Sequence, residues 1–165
     1  MLIRFPCFKK MAILPLSIYP DPILSKKAKR ITDPKSPEIR ELLFDMLETL
    51  EKNNGLGLAA PQVGKSLQMS VIKFDGKTLV LINPKIKSKS WKKIICEEGC
   101  LSFPGLFIPV KRYAKVKVEA EDQTGKKRII SGAALLGRAL QHEIDHLNGI
   151  VFTKRKSRKK SVPTK

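Results

Sequence analysis

The chain reads Gln141-His142-Glu143-Ile144-Asp145-His146 near its carboxyl end, and both of its histidines fall in this stretch. Because residues four apart lie on one face of an α-helix, the two imidazoles can bind one metal ion. The carboxylate of Glu143 projects about 100° round the helix, where it can reach a water molecule on the metal without occupying a ligand position. The pattern predicts a helix that carries a metal site, and it favours a metal-dependent hydrolase.

The residues around this motif are typical of a helix. Apolar side chains recur at helical spacing at Leu135, Leu136, Ala139, Leu140, Ile144 and Leu147. Asn148-Gly149 follows, and such residues commonly end a helix in the left-handed conformation. The helix alone leaves open the alternative of two solvated surface histidines.

A catalytic zinc or iron site typically has three protein ligands and one open position for water or substrate. The candidates for a third ligand are Cys7, Cys96, Cys100 and more distant carboxylates. Cys100 is set apart by its context, Glu98-Gly99-Cys100-Leu101-Ser102, in which the glycine allows close backbone approach. Pro104-Gly105 predicts a turn that ends this extended run. An inert packed thiol is the alternative for a cysteine in an apolar segment.

A third segment, Gly55-Leu56-Gly57-Leu58-Ala59-Ala60-Pro61-Gln62, joins glycines to an amide side chain. It is not a phosphate-binding loop, because it has no Gly-Lys-Ser/Thr and no third glycine at the dinucleotide spacing. Glycines here allow a peptide backbone to lie close, and the Gln62 side chain offers two N–H donors. The segment therefore favours contact with a peptide.

Together, these three segments resemble the signature motifs of the peptide deformylases, in the same order, and the resemblance runs from about Met11 to about Phe152. It implies hydrolysis of the N-formyl group from the initiator methionine of a nascent polypeptide, with release of formate. It also implies an α+β fold, in which mostly antiparallel sheets surround a C-terminal helix carrying the H-E-x-x-H motif, with one N-terminal helix.

The resemblance assigns a role to each residue of the site. The ligands of one divalent metal ion are expected to be Cys100, His142 and His146. Fe²⁺ is the expected ion, with Zn²⁺, Ni²⁺ or Co²⁺ able to replace it. Glu143 would take the proton of the attacking water and pass it to the leaving amine. The side chain of Gln62 and the backbone N–H of Leu101 would donate to the oxyanion.

The implied substrate contacts are an apolar methionine pocket and an added strand. The pocket walls would be Leu56, Cys96, Leu135, Ala139 and the face of His142. Backbone groups of Leu56-Gly57 and of Gly99 would pair with the extended substrate. An ordinary core position is the alternative for each apolar pocket residue, and for Leu135 the two alternatives are evenly balanced.

Three features depart from the family pattern. Ala134 begins a segment in which family members often have glycine. Gly137 lies inside the predicted helix, at a cost of about 1 kcal/mol relative to alanine. Residues 103–107 lack an arginine that some relatives carry there, so contacts beyond the first substrate residue are not implied.

Patterns elsewhere predict one more helix and several strands. The helix begins with Ser36 as its N-cap and Pro37 in the first turn, and it ends at Asn53-Asn54-Gly55. Strands are predicted at 69–74, 79–82 and 85–95, with a turn at Asp75-Gly76. A hairpin is predicted to join residues 116–120 and 128–130 through a turn at 123–125.

Length and composition indicate one catalytic domain with two extensions. The predicted domain covers residues 11–153, with 1–10 as an upstream start or extension and 154–165 as a basic, disordered tail. Residues 1–10 lack the unbroken apolar stretch and cleavage site of a signal peptide. The 3 scattered cysteines suit a reducing cytoplasm without structural disulfides. We expect a monomer that does not bind membranes.

The net charge of +18 and the pI near 10.0 are extreme for a small enzyme. Such a field attracts polyanions, and the attraction falls steeply with salt. One hypothesis is that the basic surface and tail contact ribosomal RNA near the emerging nascent chain. The alternative is that the lysines reflect an AT-rich genome or a hot habitat.

Two other classes of function fit part of the pattern. A different H-E-x-x-H peptidase would need a third histidine or glutamate ligand downstream, and no histidine or acidic residue follows His146. A basic RNA-binding protein with an idle site is disfavoured, because Cys100, Gln62 and Glu143 are all present. The sequence therefore favours a deformylase.

Overall fold

The structure, a computed structural model, describes residues 12–157 and has the predicted α+β architecture. The helices of this part of the chain are α1 (Pro37–Lys52) and α2 (Ala134–Leu147). Its strands are β1 (Gly57–Ala59), β2 (Met69–Phe74), β3 (Lys77–Lys89), β4 (Lys93–Cys100), β5 (Phe103–Tyr113), β6 (Lys115–Glu121) and β7 (Lys127–Ala133). Short 3-10 helices occupy Pro22–Ser25, Ala60–Val63 and Phe152–Arg155.

The strands form two antiparallel sheets. The larger has the order β1-β2-β3-β6-β7, and β4 pairs with β5 in the second. α1 packs on the larger sheet, where Met46 and Leu50 join Leu58 and Met69 in a buried cluster. α2 packs against β1, β2, β6 and β7 and also touches β5, so it lies where the two sheets meet. This position places the metal-motif helix beside the end of β4.

The predicted signals are present at both ends of α1 and at the C-terminal end of α2. Ser36 Oγ accepts a hydrogen bond from the Ile39 N–H at 3.4 Å, and Pro37 occupies the first turn. α1 is followed by Asn54 in the left-handed conformation (φ 50°), and α2 by Gly149 (φ 71°). The predicted hairpin is also confirmed, as β6 and β7.

The prediction of separate strands at residues 79–82 and 85–95 is wrong. β3 runs unbroken from the first segment into the second, across residues 83–84. The second segment is itself divided, because the chain turns at residues 90–92 and continues in the other sheet as β4. Asn83-Pro84 forms an irregularity in the pairing with β6 instead of ending the strand. Asn83 has φ 51°, and its side-chain amide bonds both the N–H (2.9 Å) and the C=O (2.8 Å) of Ile31. These long-range hydrogen bonds keep β3 continuous past Asn83-Pro84, a pair of residues that locally favours the end of a strand.

The predicted turn at Pro104-Gly105 is also misplaced. The β4–β5 hairpin closes earlier, with Cys100 paired to Phe103, and Pro104-Gly105 lies within β5. Ser102 in the actual turn is fully buried, and its C=O accepts a hydrogen bond from the Tyr19 N–H at 3.0 Å. The turn is therefore held by a segment more than 80 residues away in the chain, which no local pattern includes.

The helix-propensity cost of Gly137 relative to alanine could not be recovered by substitution. A Cβ at this position would lie 2.9 Å from the backbone O of Gly132, because β7 leads into α2 at close range. The better helix propensity of alanine, about 1 kcal/mol, therefore cannot be gained here. Ala134, by contrast, has φ 46°, a left-handed conformation that costs an alanine about 1 kcal/mol or more. A glycine at this position would not carry this strain.

The ends of the chain lie partly beyond the described residues. The predicted extension at 1–10, Cys7 within it, and residues 158–165 of the predicted tail fall outside them, so the domain boundaries stay predictions. The ordered structure nevertheless continues beyond residue 153. Lys156 forms an isolated antiparallel β-bridge with Val110, and Arg155 forms a salt bridge with Asp145 at 2.7 Å. No helix in residues 12–157 is long and apolar enough to cross a bilayer.

Candidate metal centre and active site

Three potential metal ligands from two elements meet at one point. His142 and His146 lie one turn apart on α2, with their Nε2 atoms 3.2 Å from each other. Cys100 ends β4, and its Sγ lies 3.2 Å from His146 Nε2. The three donor atoms all lie within 4.8 Å of one another. One thiolate with two imidazoles is a donor set that suits Fe²⁺, Ni²⁺ or Zn²⁺.

The surroundings of these atoms favour a cation. Burial lowers the pKa of His142, but hydrogen bonds with Cys100 and Glu98 outweigh burial and raise this pKa to about 10. Burial holds the pKa of His146 well below its usual value, so that ring is neutral. Its Nδ1 is buried without a hydrogen-bond partner among residues 12–157. A divalent ion held by Cys100, His142 and His146 would supply the positive charge that a proton on His142 otherwise brings.

Glu143 lies beside the ligands on the same helix. Its side chain is buried, and its Oε2 has no hydrogen-bond partner in the described part of the chain. Burial raises the pKa of Glu143 to about 7, against the opposing charges of His142 and Arg112. A carboxylate with such a pKa can both accept and return a proton near neutral pH.

The side chain of Gln62 is held with its N–H donors toward the cysteine. Its Oε1 accepts a hydrogen bond from the Ala59 N–H at 2.9 Å. Its Nε2 donates to Ser102 Oγ at 3.3 Å and lies 3.5 Å from Cys100 Sγ. Because the backbone of β1 engages the oxygen, the donor end of the amide is the one that faces the metal ligands.

A cavity of about 730 Å³ opens beside this cluster. The sequence-predicted residues on its walls are Leu56, Gly57, Gln62, Cys96, Gly99, Cys100, Leu101, Leu135, Ala139, His142 and Glu143. His146 is buried next to His142 and does not line the cavity. Leu135 is 54% exposed, so the structure places it on the cavity and not in the core. The candidate site is thus one continuous surface built from β1, β4 and α2.

Comparisons with known proteins identify the family. A family model described as polypeptide deformylase matches residues 13–162. The chain belongs to the peptide deformylase family. A curated relative, peptide deformylase 1 of Nostoc sp., is 44% identical over 154 residues, which cover 89% of this chain and 82% of the relative.

Solved deformylase structures have the same fold. The enzyme of Thermotoga maritima superposes with a TM-score of 0.85 at 34% identity, over 88% of this chain and 98% of that chain. A deformylase of Synechococcus elongatus in complex with actinonin has a TM-score of 0.86 at 38% identity, over 96% of this chain and 86% of that chain. Peptide deformylases are metal-dependent hydrolases that remove the N-formyl group from nascent polypeptides. The predicted family, fold class and activity are therefore confirmed.

Behind the ligands, the deformylase site has a layer of buried charges that the sequence did not lead us to expect. Glu98 accepts two hydrogen bonds from Arg112, both at 2.9 Å, and one from Arg138 at 2.6 Å. Its Oε2 also lies 3.2 Å from His142 Nδ1. Arg112, only 3% exposed, pairs in addition with Asp145 on α2. This layer fixes the ring of one ligand and ties β5 to the metal helix.

Part of this layer had a signal in the sequence. Glu98 lies inside the cysteine motif, Asp145 lies between the two histidines, and Arg138 is one helical turn before His142. Charges at such inward positions need partners, because an unpaired buried charge is costly. Arg112 had no such signal, since β5 was not predicted as a strand.

We predict that Glu98→Gln strongly destabilises this deformylase. Burial raises the pKa of Glu98, but hydrogen bonds from His142 and Arg112 outweigh burial and bring the pKa to about 2. Loss of the carboxylate charge leaves two buried guanidinium groups undercompensated, for which we expect a loss of about 3–5 kcal/mol in the free energy of unfolding. Urea denaturation of the metal-loaded wild type and variant measures this difference in the free energy of unfolding.

The adjacent Glu97→Gln serves as the control, because Glu97 is exposed. The folded pKa of Glu98 is depressed from 4.5, so its contribution should be complete above pH 4.5 and lost as the pH falls toward about 2. Equal unfolding free energies for the two variants at neutral pH would contradict a stabilising role for this layer.

We predict that Gly57→Ala slows catalysis by displacing Glu143. A Cβ on Gly57 would lie 2.3 Å from Glu143 Oε1 and 2.9 Å from its Cδ, so the carboxylate must move. A shift of about 1 Å at a reacting group can lower kcat by about 100-fold. Steady-state kinetics on a formylated peptide measure the change.

The matched variant is Gly99→Ala on the opposite wall of the cavity. Its Cβ would lie 2.6 Å from the ring of Phe107, which is largely exposed and can move away. We expect Gly99→Ala to change KM more than kcat and Gly57→Ala to change kcat more than KM. A Gly57→Ala enzyme with unaltered kcat would show that this contact does not position Glu143.

Proposed function

We propose that this deformylase holds one divalent metal ion with Cys100, His142 and His146 and moves protons with Glu143. The observation that carries the proposal is the convergence of the three ligand atoms, the buried carboxylate and the Gln62 amide on one cavity. When bound, the ion supplies Lewis acidity that makes water a stronger nucleophile and polarises the formyl carbonyl.

Glu143 accepts the proton of the attacking water and delivers it to the leaving amine nitrogen. Its buried position and its pKa near 7 support both steps, because a group must be deprotonated for the first and protonated for the second. The two products are formate and a peptide that begins with a free methionine amine.

The oxyanion of the tetrahedral intermediate needs donors that are already in place. The Gln62 Nε2 faces the ligand cluster, and its orientation is held by the Ala59 N–H on the other side of the amide. The backbone N–H of Leu101 directly follows the cysteine ligand on the cavity wall. We assign oxyanion stabilisation to these two donors together with the ion.

Two open strand edges support binding of an extended peptide. Among the strands of residues 12–157, β1 lies at the edge of the larger sheet and β4 pairs only with β5. Leu56-Gly57 before and in β1 and Gly99 in β4 both line the cavity, so a peptide between them can add as a strand. This backbone-directed mode accepts varied sequences after the first residue.

The methionine side chain is proposed to occupy an apolar part of the cavity. Its walls are Leu56, Cys96, Leu135, Ala139 and the ring of His142. An apolar pocket of this kind favours a long, flexible thioether, but one methylene changes discrimination by only about 10–200-fold. Norleucine should therefore be accepted in place of methionine, whereas a charged first residue should not.

Fe²⁺ is the ion that we propose for the working enzyme, with Zn²⁺, Ni²⁺ and Co²⁺ as ions that the site also accepts. A thiolate donates more charge than a third imidazole would, which suits these borderline ions. The same thiolate needs a reducing compartment, so we propose that the enzyme works in the cytoplasm. Metal analysis of protein purified without oxygen tests the choice of ion.

The test of the activity is formate release from formyl-Met-Ala-Ser by the full chain, purified without oxygen and loaded with Fe²⁺. Acetyl-Met-Ala-Ser is the matched control, because its larger acyl group should remain attached. We expect formate from the first peptide, an intact second peptide, and inhibition by actinonin. Cleavage of the internal Met–Ala bond, or folded, metal-loaded protein that releases no formate, would overturn the proposal.

We also propose that the basic surface and C-terminal tail bring the enzyme to ribosomal RNA, where its nascent substrate appears. The net charge of +18 supports this contact. Pelleting with ribosomes at two salt concentrations tests it, with the full chain and a form that lacks residues 158–165. The truncation must spare Arg155, because this residue pairs with Asp145 beside the metal ligand His146. Equal pelleting of both forms would exclude a role for the tail.

A further inference from the structure

The loop between the two sheets carries an exposed tryptophan. Residues 90–92 connect β3 to β4, and Trp91 is the only tryptophan of the chain. Its side chain is fully exposed, at 102% of the reference area. Tryptophan is highly buried on average, so full exposure here is not explained by packing of the fold.

This loop is fixed at both ends. The Ser90 N–H donates to the Lys115 C=O at 2.9 Å, and the Ala114 N–H donates to the Lys92 C=O at 2.9 Å. The hydroxyl of Ser90 donates to the Lys92 C=O at 2.8 Å and accepts from the Lys115 N–H at 3.1 Å. The backbone around Trp91 is therefore held in place by hydrogen bonds. Binding of a ligand to Trp91 costs little conformational entropy, because the loop is already ordered.

Lysines occupy the loop and the adjoining strand ends on either side of the tryptophan. The Nζ atoms of Lys89 and Lys93 each lie 4.7 Å from the centroid of the Tyr113 ring, and Lys92 and Lys115 are exposed in and beside the loop. Within residues 12–157, none of these four lysines has a carboxylate within ion-pair distance. No carboxylate in this described range therefore pairs with the positive charge of these lysines.

We propose that the Trp91 loop, defined as residues 89–93 with Lys115, binds single-stranded RNA. Trp91 stacks on one base, and the lysines contact the neighbouring phosphates. An exposed aromatic ring among cationic side chains is the combination by which proteins hold single strands without sequence preference. An acidic peptide would leave the ring unused, and a bilayer surface needs a wider apolar face than one ring.

The loop lies next to the active-site cavity. Ala114, which bonds the loop backbone, and Ile94 and Tyr113 beside it all line that cavity. RNA on the loop would therefore lie close to where the peptide enters. The inference rests on the proposed ribosome contact only for the choice of RNA as the polyanion, and it does not depend on the tail.

The experiment titrates the full, metal-loaded chain with an unstructured RNA of about 12 nucleotides at about 50 and about 200 mM salt. Because Trp91 is the only tryptophan, its fluorescence reports directly on stacking. We expect quenching by RNA and weaker binding at the higher salt. Trp91→Ala should weaken binding of labelled RNA by about 5–150-fold, and Trp91→Phe should restore most of it.

Ile129→Ala is the matched control, since Ile129 is an exposed apolar residue of β7, at 60%, outside the loop. Its RNA affinity should equal that of the wild type. Unchanged RNA affinity in Trp91→Ala, or Trp91 fluorescence that saturating RNA leaves unaltered, would overturn the proposal. A blue shift with anionic vesicles in place of RNA quenching would also overturn it, in favour of a membrane surface. Formate release by Trp91→Ala is expected to be normal. This measurement tests the deformylase assignment separately, so a failure of RNA binding can be distinguished from a failure of that assignment.

Discussion

Replacing Glu143 by glutamine is expected to lower kcat for formyl-Met-Ala-Ser by about 10²–10⁴-fold, with the fold and the metal content unchanged. Glutamine keeps the size of the side chain but cannot accept the proton of the attacking water. Glu143 is also not one of the three ligand residues, so its replacement leaves the metal site complete. Stopped-time formate assays and metal analysis of the same preparation measure the two quantities together.

The pH profile gives a second measurement of the same role. Burial raises the pKa of Glu143 to about 7, and a bound cation would favour the carboxylate, so the acid limb of kcat/KM should have its midpoint below about 7. Activity should rise with pH through this midpoint, because the base works deprotonated.

Glu97→Gln is the matched control for this prediction, since it removes a different carboxylate from the same cavity. Its kcat should change little if proton transfer, and not the charge of the cavity, is what Glu143 provides. Glu143→Gln enzyme that retains substantial turnover would refute the assignment of Glu143 as the base.

Replacing Cys100 by alanine is expected to remove the metal and, with it, all formate release above background. One of the three proposed protein ligands would be lost, whereas loss of a residue that only hydrogen-bonds to a ligand lowers metal affinity by about 10–100-fold. We therefore expect metal binding to weaken by more than about 100-fold. Competition with a chelator of known affinity measures this change, and the thiolate-to-Co²⁺ absorption of the Co²⁺ form should disappear.

Cys96→Ala is the matched control, because Cys96 lies on the same strand and lines the same cavity without joining the ligand group. This variant should keep its metal and change KM through the methionine pocket. Cys100→Ala protein that retains one equivalent of metal and the Co²⁺ band would show that the sulfur is not a ligand.

The layer of buried charges behind the potential metal ligands is the part of the site that could not be predicted from sequence. His142, His146 and Glu143 belong to one helix, so their relative positions follow from helical geometry and could be predicted from spacing. Glu98 has no signal in the sequence beyond its place in a motif, and its partner Arg112 lies on β5, a strand that the sequence patterns do not predict. A buried charge pair between two strands and a helix depends on how those elements pack, and no local pattern encodes that packing.

The irregular parts of the fold show the same limit. Asn83-Pro84 is a strong local signal for the end of a strand, yet β3 continues because Asn83 bonds the backbone of Ile31. Gly137 has a poor helix propensity, yet the approach of Gly132 requires it. In the first case a contact with a distant segment outweighs the local signal. In the second, the close approach of the strand that leads into the helix outweighs a helix propensity of about 1 kcal/mol.

The sequence by itself determined the helix that carries His142 and His146, both ends of α1, the C-terminal end of α2, and, through three motifs, the family. These features depend on side-chain spacing over a few residues, which backbone geometry translates directly into positions. Only the tertiary structure decided that Cys100 Sγ lies 3.2 Å from His146 Nε2, that the amide of Gln62 faces the sulfur, and that Glu98 holds the ring of His142. Each of these contacts joins residues 38–46 positions apart, so it exists only once the two sheets and α2 have packed together.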